Sequence, residues 1–189
     1  MPYADVPAFL AALRSREGVA PRALEFAVLT ACRTGEALGA TWSEVDGETW
    51  TIPAPRTKTN TAHRVPLSRR ALEILAALPR EREFIFIGAR AGRPLNRHAM
   101  HELLKLMGLP FTVHGFRSSF RDWAAECTGY EHAVCEAALA HAIPGAVERA
   151  YRRGDLFNKR RRLMADWAAF CTGAAADRNV VAIRGGDRG

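Results

Sequence analysis

Residues 114–151, HGFRSSFRDWAAECTGYEHAVCEAALAHAIPGAVERAY, decide how the rest of the sequence is interpreted. The stretch begins with His114 and Arg117, three residues apart, and closes on Tyr151 within a basic run. Residues three apart share one face of a helix, so this pair can contact one bound group. A phenol on a basic helix would offer a phosphate both its hydroxyl and positive charge. We therefore interpret Tyr151 as a nucleophile.

The spacing of His114 and Arg117 is weak evidence by itself. The chain has 24 Arg, 3 Lys and 6 His. Composition alone then predicts about 0.8 pairs with this spacing, so the one pair present carries no information. Tyrosine and lysine occur three times each and are more informative, because their positions can be compared with an expected order.

Bulk properties favour one intracellular domain that binds a polyanion. A chain of 189 residues with a net charge of +7 fits a single domain with a nucleic-acid partner. The four Cys lack a Cys-x-x-Cys spacing and lie in apolar runs, which is typical of reduced thiols. The sequence has neither a signal-peptide pattern nor an apolar run of about 20 residues. We expect a cytoplasmic protein, associated with the nucleoid during its reaction and without a membrane partner.

Periodicity predicts an α+β fold that is mainly α-helical. Helices are expected over residues 3–17 and from Pro21 to a break at Thr34 and Gly35, just after Arg33. Short strands are expected at residues 49–52, 63–67 and 84–87. The helices would pack around these strands, paired as a small three-stranded antiparallel sheet.

Two further helices have recognisable apolar faces. Phe116, Phe120 and Trp123 recur at helical spacing and are predicted to lie in the core rather than on a stacking platform. A last amphipathic helix is predicted after Asp155. The basic run at residues 159–162 within it is more typical of a solvated face than of a binding site.

Two cations allow both a plain and a functional interpretation. Arg33 is either a surface arginine or a phosphate clamp oriented by Glu36, three residues later. Lys58, in the polar loop between the first two predicted strands, is either a solvated charge or a flexible proton donor. Spacing alone does not separate these alternatives.

In chain order, however, these residues resemble the tyrosine recombinases, and specifically the prophage-integrase branch. The resemblance covers about residues 3–172, and its combined order is specific although each motif is weak. Besides Tyr151, it rests on Arg33 in TACRTGEAL, Lys58 in the inter-strand loop, HGFR at 114–117 and His141 in LAH. The flanking residues 56–67, 114–126 and 146–155 match as well.

The resemblance implies a role for each of these residues. Arg33 and Arg117 would grip the scissile phosphate, with Glu36 supporting Arg33. Tyr151 would be the nucleophile and Lys58 the mobile proton donor. The two histidines would be His114, as a base, and His141, as a hydrogen-bond donor to the phosphate. We expect no metal and no cofactor, because two guanidinium groups can stabilise the transition-state charge.

The resemblance also implies a domain organisation and partners. Residues 1–173 would form the catalytic domain and residues 174–189 a flexible C-terminal tail. The N-terminal DNA-binding domains of a full-length integrase would be absent. The partner would be double-stranded DNA at attachment or core sites. A full-length protein would act as a tetramer on DNA, whereas the isolated domain would be monomeric.

Three functions fit these observations. The first is a site-specific recombinase that cleaves and rejoins DNA through a 3′-phosphotyrosine, for integration or excision of a prophage or other mobile element. The second is a catalytically idle, DNA-binding remnant of a prophage integrase, which the intact set of six residues disfavours. The third is a type IB topoisomerase, which uses the same chemistry but matches the flanking residues poorly.

Overall fold

The computed structural model describes residues 1–88, 92–141 and 154–173, so the predicted tail at 174–189 lies outside the described residues. Each helix within these ranges is too short or too polar to cross a lipid bilayer. In chain order the helices are α1 (Val6–Arg14), α2 (Val19–Thr30), α3 (Thr34–Leu38), α4 (Arg69–Ala76), α5 (Ala99–Leu106), α6 (Gly115–Cys127), α7 (His132–Ala138) and α8 (Phe157–Thr172). Short 3₁₀ turns occupy Tyr3–Asp5, Trp42–Glu44 and Ala54–Arg56.

Three short strands form one antiparallel sheet. They are paired in the order β1 (Val45–Asp46), β2 (Thr49–Ile52) and β3 (His63–Pro66). Along β2, Trp50 and Ile52 are buried while Thr51 between them is exposed, because successive side chains of a strand point to opposite faces. The prediction of a mainly α-helical α+β fold around a three-stranded antiparallel sheet is confirmed.

One of the three predicted strands does not belong to the sheet, and β1 takes its place. Residues 84–87 are not its third strand; among residues 1–88, 92–141 and 154–173, Phe84 and Ile87 form isolated bridges with Thr41 and Pro94, respectively. The N–H of Ile85 donates to Ala40, outside the sheet. The segment is apolar because it is buried, and an apolar run of this length does not distinguish a strand from other buried extended chain.

The core joins α6 to α8 through aromatic rings. The predicted burial of Phe116, Phe120 and Trp123 is confirmed. The ring centroid of Trp167 on α8 lies 5.5 Å from that of Phe120 and 5.1 Å from that of Trp123. The Trp167 indole also donates to the Val28 carbonyl near the end of α2 (2.9 Å). This packing fixes α6 relative to the end of α2.

The start of α8 is tied to β3 by a buried arginine. The solvated face predicted for residues 159–162 is wrong for Arg160, which is buried. Its Nε donates to the Asp155 carbonyl (2.7 Å) and its Nη2 to the Asp155 carboxylate (2.8 Å), while Nη1 donates to the Arg64 carbonyl. A buried guanidinium needs such acceptors because desolvation is costly.

The chain bends between α2 and α3 earlier than predicted. Thr34 and Gly35 do not break a helix; they begin α3. The bend lies at Ala31, which adopts a left-handed conformation (φ 49°), and Arg33 follows in an extended conformation. Arg33 therefore lies at a junction between two helices, close to the predicted helix end.

Candidate active site

Arg33 is held from both sides. Glu36 on α3 is only 3% exposed, and its carboxylate accepts hydrogen bonds from the Arg33 side chain (Nη1 to Oε1, 2.9 Å) and backbone N–H (2.7 Å). The other terminal nitrogen, Nη2, donates to the Ala140 carbonyl (3.2 Å). The guanidinium therefore bridges α3 and the chain after α7, with its orientation set by a charge-assisted pair.

Arg117 is buried between the ends of two helices. Its Nη1 donates to the Ala31 carbonyl and its Nη2 to the Leu139 carbonyl (2.6 Å). These carbonyls belong to the residues that directly follow α2 and α7. The last carbonyls of a helix lack intrahelical partners and carry partial negative charge, so a cation is favoured there.

The chain reverses sharply after α7, and this reversal provides the acceptors. Ala140 is left-handed (φ 49°). Its N–H donates to Ala137 (3.2 Å), and the N–H of His141 donates to the Glu136 carbonyl (3.0 Å). This pair of bonds defines a Schellman ending. Within it, the successive carbonyls of Leu139 and Ala140 accept hydrogen bonds from the two arginines.

The two guanidinium groups form a region of positive charge. Burial lowers the pKa of Arg117 from its ordinary value, and the nearby charge of Arg33 lowers it further. The Arg117 Nε is buried and has no hydrogen-bond partner among the described residues. Five N–H donors on each guanidinium exceed the acceptors found here, so the pair is suited to bind an anion.

His141 joins this pair at the α7 reversal. Its Nε2 lies 3.3 Å from Arg117 Nη2, and its Nδ1 lies 2.8 Å from a Glu136 carboxylate oxygen. The structure therefore brings Arg33, Arg117 and His141 together, although they are up to 108 positions apart in the sequence.

His114 lies at the start of α6, three residues before Arg117. The Arg117 N–H donates to the His114 carbonyl (3.0 Å), so both residues belong to the first turn. The imidazole is exposed and forms no hydrogen bond with the parts of the chain that the structure describes. It is therefore open to a ligand.

Lys58 is exposed on a loop whose base is firmly held. Arg56 Nη1 pairs with the Glu44 carboxylate, and its Nη2 donates to the Glu36 carbonyl on α3 (2.5 Å). The Thr57 hydroxyl then closes the loop, donating to the Thr61 carbonyl (2.9 Å) and accepting from its N–H (3.1 Å). The loop that carries Lys58 is thus fastened to the helix that carries Glu36.

Tyr151 lies among residues 142–153, which are outside the described residues. Its place relative to the two arginines stays a prediction.

His63 at the start of β3 is a neighbour of the site that the sequence analysis missed. Burial lowers the pKa of this histidine to about 4, assisted by the charges of Arg160 and Arg33, although Glu36 and a hydrogen bond to the Ala138 carbonyl oppose the shift. The His63 imidazole therefore lies close to the ion pair that Arg33 forms with Glu36. Its position five residues after Lys58 was the only available sequence signal, and that spacing predicts no contact.

Residues 2–155 match the profile of the phage integrase family. The chain belongs to this family, the tyrosine recombinases, and the prediction of the prophage-integrase branch is confirmed.

Two relatives come from Escherichia coli K12. Prophage integrase IntA is 40% identical over 149 residues, which cover 75% of this chain and 36% of IntA. Prophage integrase IntZ is 32% identical over 176 residues, which cover 89% of this chain and 44% of IntZ. The chain therefore matches less than half of the length of either relative.

Solved structures share the fold at low sequence identity. The integrase of mycobacterium phage Brujita superimposes with a TM-score of 0.67 at 18% identity, covering 97% of this chain and 61% of that one. A lambda integrase dimer bound to a COC′ core site gives a TM-score of 0.58 at 22% identity, covering 76% and 57%. These likenesses support the predicted tyrosine recombinase catalytic fold.

The lowered pKa of His63 predicts a pH-dependent stability. An unfolded histidine has a pKa near 6.5, so between about pH 6.5 and pH 4 the unfolded chain binds a proton that the folded chain does not. The free energy of unfolding should fall by roughly 3 kcal/mol as the pH decreases through this window. Denaturant unfolding at several pH values should detect this loss, and His63→Gln should remove it.

An NMR titration of the His63 imidazole provides an independent measurement. We expect its midpoint near pH 4. A midpoint near 6.5, or an unchanged pH dependence in His63→Gln, would contradict the burial of this imidazole beside the arginines.

Proposed function

We propose that this chain is the catalytic domain of a site-specific DNA recombinase that cleaves and rejoins DNA through a 3′-phosphotyrosine. One observation supports the proposal most strongly. Arg33 donates a hydrogen bond to the Ala140 carbonyl and Arg117 donates to the neighbouring Leu139 carbonyl, beside His141. Family membership and the prophage-integrase relatives support the reaction class.

The arginine pair suits the transition state of phosphodiester cleavage. Attack on phosphorus moves negative charge onto the non-bridging oxygens of a five-coordinate intermediate or transition state. Guanidinium groups that are already oriented by Glu36 and by helix-end carbonyls can stabilise this charge with little reorganisation. His141 Nε2, next to Arg117, supplies a further donor when that nitrogen is protonated.

The proposed step conserves atoms and bond energy. The Tyr151 oxygen forms a bond to phosphorus while the bond from phosphorus to the 5′ oxygen breaks. The phenol proton passes to His114, and Lys58 donates a proton to the departing 5′ oxygen. Because the phosphotyrosine retains the ester bond energy, a second 5′-hydroxyl can reverse the reaction on a new partner strand.

We propose double-stranded DNA at attachment or core sites as the partner. The net charge of +7 favours phosphate contacts, so binding should be salt-dependent. Lambda integrase, a structural neighbour, is known as a dimer on a core site and as a tetramer on a Holliday junction. By this likeness, a full-length protein would assemble as a tetramer on DNA in the cytoplasm, and the isolated domain would be monomeric.

The nucleophile can be tested by trapping the covalent intermediate. A pool of nicked duplexes with randomised cores should form an adduct that withstands denaturation, because the cleaved fragment diffuses away before religation. Tyr151→Phe should abolish the adduct, and peptide mapping should locate the phosphate on Tyr151. Tyr3→Phe and Tyr130→Phe are matched controls that should retain it, since these phenols bind Glu126 and Asp166. An adduct that survives Tyr151→Phe would refute the assignment.

A chain that binds DNA but forms no adduct with any duplex of the pool would instead fit the catalytically idle remnant. Relaxation of supercoiled plasmid without strand exchange would fit a topoisomerase.

Lys58 can be tested through the leaving group. Lys58→Ala should slow cleavage by at least about 10²-fold, because the 5′ alkoxide leaves poorly without a proton. A duplex with sulfur in place of the bridging 5′ oxygen should restore the rate, because a thiolate leaves without protonation. Lys105→Ala is the control, since that lysine pairs with Glu102 on α5. An equal loss on both duplexes would reduce Lys58 to a simple binding residue.

A further inference from the structure

We propose that Glu136 is the positioning residue for His141: it holds a proton on Nδ1 and so makes Nε2 the atom that faces the DNA phosphate. The contact itself does not depend on the function proposed above. Its consequence for strand cleavage rests on that function.

The local fold fastens His141 to Glu136 twice. The backbone N–H of His141 donates to the Glu136 carbonyl (3.0 Å), as the helix ending of α7 requires. The imidazole then lies back along α7, where its Nδ1 is 2.8 Å from Glu136 Oε2. The opposite nitrogen, Nε2, is 3.3 Å from Arg117 Nη2. The Nδ1 edge of the imidazole therefore contacts the carboxylate, and the Nε2 edge contacts the arginine.

The carboxylate is kept ionised by its surroundings. Burial acts to raise the pKa of Glu136, but the hydrogen bond from His141 and the charges of His141, Arg121 and His132 hold it below its ordinary value. Arg121 Nε lies 3.1 Å from Oε1, and His132 Nε2 lies 3.7 Å from the same oxygen. Arg121 reaches it from α6, and His132 lies on α7 itself. The Glu136 side chain keeps 23% of its surface exposed.

An ionised carboxylate only accepts hydrogen bonds, so Nδ1 must be the donor. In the neutral imidazole, Nε2 is then without a proton and can accept the hydrogen bond from Arg117. To donate to a phosphate oxygen, Nε2 has to gain a proton. The positive charge of that imidazolium would lie next to the Glu136 carboxylate, whose Oε2 is 2.8 Å from Nδ1. The groups that face this ring within the described residues are Glu136 from α7 and Arg117 from α6.

Glu136 thus pairs with His141 in the same way that Glu36 pairs with Arg33. Glu36 binds Nη1 of Arg33 and Glu136 binds Nδ1 of His141, so Arg33 Nη2 and His141 Nε2 point to other partners. The sequence pattern indicates a role for Glu36 but gives no signal for Glu136.

Imidazole NMR tests the contact without DNA. Protein labelled with ¹⁵N-histidine should show His141 protonated on Nδ1 in its neutral form, with a bare Nε2. Glu136→Ala should shift the neutral ring towards the Nε2-protonated form, which predominates in free imidazole side chains. His101 serves as an internal reference, and thermal unfolding verifies that the variant is folded. A wild-type His141 protonated on Nε2, or a tautomer unaffected by Glu136→Ala, would overturn the proposal.

Cleavage kinetics test the consequence. Glu136→Gln preserves the shape and an oxygen acceptor but removes the charge, so adduct formation should slow at least about tenfold. DNA retention should change less than about twofold, because the phosphate-binding arginines remain in place. Glu102→Gln, an exposed carboxylate on α5, should change neither quantity.

The NMR and kinetic experiments distinguish a failure of the proposed function from a failure of the role proposed for Glu136. If the wild type forms no adduct, the proposed function fails while the NMR measurement still decides the role of Glu136. If the wild type is active and Glu136→Gln cleaves DNA at an unchanged rate, the positioning role is refuted.

Discussion

The candidate site depends on the reversal of the chain after α7. Ala140 adopts a left-handed conformation there, which an alanine reaches only at a cost of about 1–2 kcal/mol. The reversal provides successive carbonyls at Leu139 and Ala140 and places His141 next to them. Each carbonyl receives one arginine from a distant part of the chain. The backbone geometry of these residues therefore determines where two guanidinium groups can meet.

Electrostatics explains why this assembly is suited to bind an anion. Arg33 is balanced by Glu36. Within the described part of the chain, Arg117 is bound by carbonyls and approached by an imidazole, with no carboxylate partner. Two nearby guanidinium groups repel each other, and burial adds a desolvation cost. A bound phosphate would relieve both effects at once. The fold thus holds positive charge ready before the ligand arrives, which is the basis of electrostatic preorganisation.

The sequence predicted the family and most elements, because rare residues in a fixed order and apolar periodicity are both local signals. The sequence did not predict the bend at Ala31, because a left-handed backbone conformation is usually expected at glycine and not at alanine. The carbonyl of this residue accepts a hydrogen bond from Arg117. Nor did the sequence predict roles for His63 and Glu136. Their environments arise from contacts between elements far apart in the sequence, which spacing does not encode. The catalytic roles, including that of Tyr151, stay predictions.

The most direct measurement is a crystal structure of the Tyr151→Phe protein bound to the duplex that the wild type captures most strongly. Non-bridging oxygens of one phosphate should lie about 2.7–2.9 Å from nitrogens of both Arg33 and Arg117. His141 Nε2 should reach the same phosphate. A phosphate held by only one of the arginines, or two arginines bound to different phosphates, would show that Arg33 and Arg117 do not form one phosphate site.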